Sequence, residues 1–254
     1  MTKIVIPATP NVSLVAFYSD RKSPELAQLI RAIQTHLSDR LGNRFRPEPF
    51  PQIHATILGC EGRTTPVGIL NRWFLERRQE YRYIDLSGFI TFVKICDRLP
   101  MPIQFGGYNS GQDYGFLSRN LHPFERSFQV QGDVAVLTGW PRRHVNFPDD
   151  LDDFRRRAQP FGILHKYHNT PDSVDNDCYM RVGTILDKIE TELIQKIEAE
   201  IREMLRLQPV EIAIDSGTLQ FLGYQTLPPQ PETTAIASLG DATEDRLKSW
   251  YPPL

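Results

Sequence analysis

The spacing of apolar positions changes from segment to segment, and each change predicts an element. Ser13–Tyr18 (SLVAFY) reads as a buried first strand. From Pro24 to about Leu41, the residues Leu26, Leu29, Ile30, Ile33, Leu37 and Leu41 step by three and four, as one face of an α-helix requires. Ser23 stands at the N-cap, Pro24 at the first helical position and Gly42 just past the end. Pro51–Gly59 (PQIHATILG) alternates instead. That pattern places Ile53, Ala55 and Ile57 on one face of a strand and His54, Thr56 and Leu58 on the other. An arginine-rich amphipathic helix is predicted over Pro66–Tyr81, and strands over Ile84–Lys94, Met101–Phe105, Ser127–Gln131 and Asp133–Thr138. The stretch 139–170 is polar and irregular apart from a short helical piece around Leu151–Ala158. Cys178–Ile185 reads as a strand running into a long helix, Leu186–Leu207, with apolar residues at 186, 189, 193, 197, 201 and 204. Two more strands span Val210–Tyr224, and the proline-rich tail from Thr226 is expected to wrap the surface or lie loose.

This order, β-α-β, a helix, several strands and a second β-α-β, predicts one α+β domain over residues 1–254. The expected architecture is a pair of pseudo-duplicated β-α-β halves. They form a curved, antiparallel-rich sheet with helices outside and a central groove. The first half covers residues 1–100, the second 101–225, and the tail 226–254.

Composition narrows the chemistry only in part. Lys and Arg number 29 against 31 Asp and Glu, so no global basic field exists to hold long nucleic acid without sequence preference. Cys60, Cys96 and Cys178 are odd in number and lack CxxC spacing, which argues against a disulfide framework or a zinc site. With no signal peptide and no apolar run of membrane-spanning length, a cytoplasmic protein without a membrane partner is expected. His165 and His168 with Asp172, Asp175 and Asp177 resemble a metal cluster superficially. The segment lacks the glycine and terminal glutamate of a calcium loop, so no metal or other cofactor is assigned. Arg142-Arg143 and Arg155-Arg156-Arg157 read as a solvated face, and Trp73, Trp140 and Trp250 as packing residues.

His54 and Thr56 carry the candidate chemistry. An imidazole moves protons near neutral pH, and a hydroxyl beside it can hold a phosphate oxygen. The hydrophobic-His-x-Thr-hydrophobic run at Ile53–Leu58 follows a strand and helix (Ser13–Leu41). Helix Leu186–Leu207 and strands Val210–Tyr224 close the chain. In motif and element order the chain resembles the 2H phosphoesterase superfamily, which includes cyclic-nucleotide phosphodiesterases and RNA 2′,5′-ligase-like proteins.

That resemblance implies metal-independent attack on a cyclic nucleotide or on the 2′,3′-cyclic phosphate of an RNA end. Two imidazoles would serve as acid and base and two hydroxyls would hold the phosphate oxygens. His54 would be one acid/base and Thr56 one phosphate holder. By element order the second motif falls on Cys178–Gly183, with Tyr179 at the His position and Arg181 at the Thr position. His168-Asn169-Thr170, followed by Pro171, is the competing source. The implied catalytic set is therefore His54, Thr56 and His168, with Thr170, Tyr179 and Arg181 on the substrate. Arg181 is a stronger anion holder than threonine, and Tyr179 a poor base at neutral pH. Two outcomes stay open, a phosphodiesterase or a nucleotide- and phosphate-binding module that has lost turnover. A third is an interaction protein in which His54 is structural; no protein partner is indicated.

Overall fold

The computed structural model describes residues 5–253. In chain order the strands and helices are β1 (Asn11–Ala16), α1 (Pro24–Leu41), β2 (Phe45–Pro47), β3 (Ala55–Gly59), β4 (Gly62–Thr65) and β5 (Gly68–Asn71). There follow α2 (Arg72–Arg78), α3 (Leu86–Ile95), β6 (Met101–Phe105), α4 (Pro123–Arg126), β7 (Phe128–Gln131), β8 (Val134–Pro141) and α5 (Asp150–Arg156). The chain ends with β9 (Cys178–Ile185), α6 (Thr191–Leu207), β10 (Val210–Ile214), β11 (Leu219–Tyr224), β12 (Thr234–Ser238) and α7 (Glu244–Lys248). The fold is α+β. Eight strands run β10-β6-β8-β9-β3-β1-β11-β12 in one open antiparallel sheet, with β2 added on β9 and β7 on β8, while β4 and β5 form a separate hairpin.

The sheet divides its side chains cleanly. Val12, Leu14, Ala16, Ala55, Cys178, Met180, Val182, Leu219 and Phe221 enter the main core, where α1 contributes its six apolar residues. Burial of each Val, Leu, Ile, Phe or Met among them is worth roughly 1.5–3 kcal/mol as an upper bound. Ser23 caps α1 by accepting from the Leu26 N–H at 3.3 Å, and Gly42 ends it at φ 56°. The helix also holds α6 through Glu200, which lies 2.9 Å from His36 and 3.0 Å from Arg40.

Several expectations are corrected here. The strand expected over Ile84–Lys94 is instead largely helix α3, Leu86–Ile95. Asp85 accepts from the Gly88 N–H at 2.8 Å, and Leu86, Phe89, Ile90 and Val93 are buried at helical spacing. Aromatic and β-branched residues favour a strand locally, and the helical burial pattern overrides that preference. The predicted helix over 66–81 is a hairpin followed by the short helix α2. Gly68 turns the chain at φ 148°, and Asn71 caps α2 from its own side chain at 3.0 Å. Helix α6 begins at Thr191 because Leu186 still donates its N–H to Arg44 O at 2.8 Å, continuing strand geometry. The two strands of Val210–Tyr224 do not pair with each other: β10 pairs with β6, and β11 with β1 and β12. The tail is built in, with β12 on the sheet and Leu247 and Tyr251 buried.

Candidate functional site

The face of the sheet turned away from the main core carries a groove of about 480 Å³. Its floor is set by one register. Ala55 of β3 pairs with Met180 of β9, both with side chains in the core. Antiparallel pairing then puts Thr56 beside Tyr179 and His54 beside Arg181, all four on the groove face. A bulge corrects the simple alternation. β1 pairs Val15 with Thr56 but Leu14 with Leu58, so Ile57 is the extra residue and Leu58 turns into the core. The same bulge brings Gly59, not Leu58, to the groove beside Ser13.

His54 has one assigned tautomer. Its Nδ1–H donates to Gln52 O at 2.6 Å, which leaves Nε2 as an acceptor. Tyr18 meets the ring edge-on at 5.7 Å between centroids. Burial, with Lys22 adding to it, holds the imidazole pKa below its ordinary value. A neutral His54 at pH 7 is therefore competent to accept a proton and poor at donating one. Thr56 is exposed to the groove. Burial raises the Tyr179 pKa, so its phenol stays protonated and donates.

Arg181 does not stand free. Glu48 lies 2.9 Å from its Nε, and Glu48 is itself buried. The groove wall contains a second histidine that the sequence did not nominate for this place. His165 donates from Nε2 to Asp175 Oδ2 at 2.8 Å, and its Nδ1 is buried with no partner. Burial, reinforced by the nearby Arg155 cation, lowers its pKa to about 4. Against the cost of burial, Arg155 and His165 keep the Asp175 carboxylate ionised far below the usual range.

His168 is not in the groove. It is fully buried behind the wall, with Nε2 bonded to Asp152 Oδ1 at 2.8 Å, and Thr170 is an exposed turn residue bonded to Ser173. The His168-Asn169-Thr170 triplet thus supplies neither a second imidazole nor a second hydroxyl to the groove. Arg155 also departs from expectation: it is buried, not solvated. Its guanidinium donates to the carbonyls of Ile57 at 2.8 Å, Asp175 at 2.7 Å, Asp177 at 3.1 Å and Thr56 at 3.3 Å. It pins β3 to the segment entering β9. Arg156 and Arg157 do lie toward solvent, paired to Asp152 at 2.5 Å and Asp97 at 2.5 Å.

Among the described residues, eight charged side chains line the groove: Glu48, Glu61, Asp175, Asp177, Arg119, Arg155, Lys166 and Arg181. Six are in ion pairs. Besides Glu48–Arg181, these are Asp175–Arg155 at 3.7 Å and Asp177, which holds Arg119 at 3.7 Å and the buried Arg126 at 2.8 Å. Glu61 and Lys166 have no oppositely charged partner within 4 Å among the described residues. The signals for the missed residues were the His-x-x-His spacing at 165 and 168 and the acid directly after the Gly59-Cys60 strand end. Among the described residues, no group of three or more His, Cys, Asp or Glu side chains is arranged to hold a metal ion. No helix among them is long and apolar enough to cross a membrane. No protein-family model matches the chain, and no curated protein matches its sequence.

Proposed function

We propose that this groove is a phosphate-ester binding site of the 2H phosphoesterase type, taking a nucleotide or an RNA end, whose second half-site holds the ligand without turning it over efficiently. The observation that carries this reading is the Ala55–Met180 pairing, which sets His54 and Thr56 against Arg181 and Tyr179 on one face. A local two-fold through that pair relates His54 to Tyr179 and Thr56 to Arg181, the correspondence expected from element order. The phosphate sits over Thr56, with the Tyr179 phenol and the Arg181 guanidinium as further donors. His54 Nε2 accepts from a hydroxyl or water beside it. Its partner across the two-fold is a phenol with a raised pKa, which is a hydrogen-bond donor and no base at neutral pH. One acceptor imidazole paired with a phenol that gives up its proton only reluctantly is a holding arrangement.

A specific observation favours the hydrolytic reading as second. His165 lines the same groove with an unpartnered Nδ1. The test is metal-free incubation with a panel of 2′,3′-cyclic nucleotides, following binding and product together, in wild type and His54→Ala. Binding without product is the expected result. Turnover in wild type that falls about a hundredfold in His54→Ala would establish the phosphodiesterase instead.

A further inference from the structure

Glu61 has an unusual place. It leaves β3 two residues after Gly59, and its carboxylate folds back over that glycine: a Cβ at position 59 would collide with the carboxylate itself. The space left by glycine is what lets the carboxylate lie in the groove. Trp73, at the start of α2, fixes it there by donating its indole N–H to Oε2 at 2.7 Å. Trp73 is also flanked by Lys166, whose Nζ lies 5.7 Å from the ring centroid. The two unpaired charges of the groove therefore meet at one indole, over which the Arg72 and Arg77 guanidiniums also lie, 4.7 and 5.5 Å from the ring centroid. No ion pair within the described residues consumes either one, whereas all six other charges are satisfied internally. Burial raises the Glu61 carboxyl pKa, in keeping with a site that is partly shielded from water.

From Thr56 to Gly59 the strand advances about 7–10 Å. That span is within the length of one mononucleotide. We infer that Glu61 and Lys166 read the edge of a guanine-type base, with adjacent N–H donors on the Glu61 carboxylate and the neighbouring carbonyl oxygen on Lys166. The inference rests on the proposed reading of the groove as a nucleotide site. The chemistry is that of complementary display: guanine offers N1–H and N2–H beside O6, and a carboxylate beside an ammonium matches both signs. Adenine presents a ring acceptor where guanine presents N1–H, so it faces the carboxylate with a lone pair. A site with buried polar groups rejects such a partner strongly. A vicinal diol could also donate twice to a carboxylate, and it would do so whatever the base.

The deciding experiment titrates guanosine, adenosine, 3′-GMP, 3′-AMP and inorganic phosphate into wild type, Glu61→Gln and Lys166→Met by calorimetry. Glutamine retains an oxygen for the Trp73 N–H, so the fold is kept. The expected result is a guanine-over-adenine preference of about tenfold or more in wild type, seen with and without phosphate. Glu61→Gln should abolish the preference, and Lys166→Met should reduce it. Equal binding of guanine and adenine compounds by wild type overturns the inference, and a diol is then the source if Glu61→Gln weakens both alike. If guanosine binds as well as 3′-GMP and inorganic phosphate does not bind, the phosphate reading fails while this one stands. Binding of none of the five overturns both.

Discussion

Ala55 and Met180 pair across the middle of the sheet with both side chains in the core. That single register turns two sequence-distant segments into one surface. It is why His54 and Thr56, 125 and 123 residues before Tyr179 by their numbers, share a groove floor with Tyr179 and Arg181.

Arg155 is the clasp of that surface. Its four carbonyl contacts hold Thr56 and Ile57 of β3 to Asp175 and Asp177 ahead of β9. Arg155→Met removes a buried cation and leaves those carbonyls and Asp175 without their donor. The expected loss of stability is roughly 3–5 kcal/mol, read from urea unfolding at constant slope.

Acid should weaken the protein in a window set by His165. Its folded pKa is about 4, against an unfolded value near 6.5, so between these the unfolded chain binds more protons. Its contribution is fully present above about pH 6.5 and is lost as pH falls toward 4, by roughly 3 kcal/mol in all. Asp175, also depressed, adds its own loss only below the usual carboxylate range. Unfolding midpoints should hold from pH 7.5 to about 6.5 and then fall toward pH 4 in wild type, and fall less steeply in His165→Gln, where His54, its pKa also lowered, still contributes. Parallel curves for the two proteins would refute this.

Glu48 restrains Arg181 at 2.9 Å. Glu48→Gln removes the competing carboxylate while keeping a hydrogen-bonding side chain against the guanidinium. Anion binding in the groove should tighten several-fold, with most of the change in the rate of release. A weaker affinity would mean that Glu48 positions Arg181 more than it competes for it.

Gly59→Ala tests the groove end without removing a charge. The new methyl meets the far end of a flexible side chain, so the expected stability cost is below about 1.5 kcal/mol. The Glu61 carboxylate must move, and the Trp73 emission should shift as its indole bond is disturbed. Unchanged Trp73 emission would show that Glu61 does not need the space.

Much of this was legible in the sequence. Helix α1 was readable to the residue because its cap, its proline and its apolar stripe agree. The groove quartet was readable because strand alternation and element order both pointed to it. Leu58 was misplaced because a bulge at Ile57 is invisible to a period of two. Helix α3 was misread because Phe, Ile and Val suit strands, and its Asp85 cap is a single short side chain. For a different reason, the sequence does not place His165, weighed only as part of a metal cluster, or Glu61 in the groove. Neither lies on a periodic element, and their position depends on tertiary partners, Asp175 and Trp73, that no local pattern reveals.

The most direct measurement is a ³¹P NMR titration of a 3′-nucleotide into wild type, Thr56→Val and Arg181→Ala. Phosphate held between β3 and β9 should give a shifted, saturable resonance in wild type, with affinity reduced about 10- to 100-fold in Arg181→Ala and less in Thr56→Val. A resonance that saturates identically in all three proteins, or never shifts in wild type, would contradict the account.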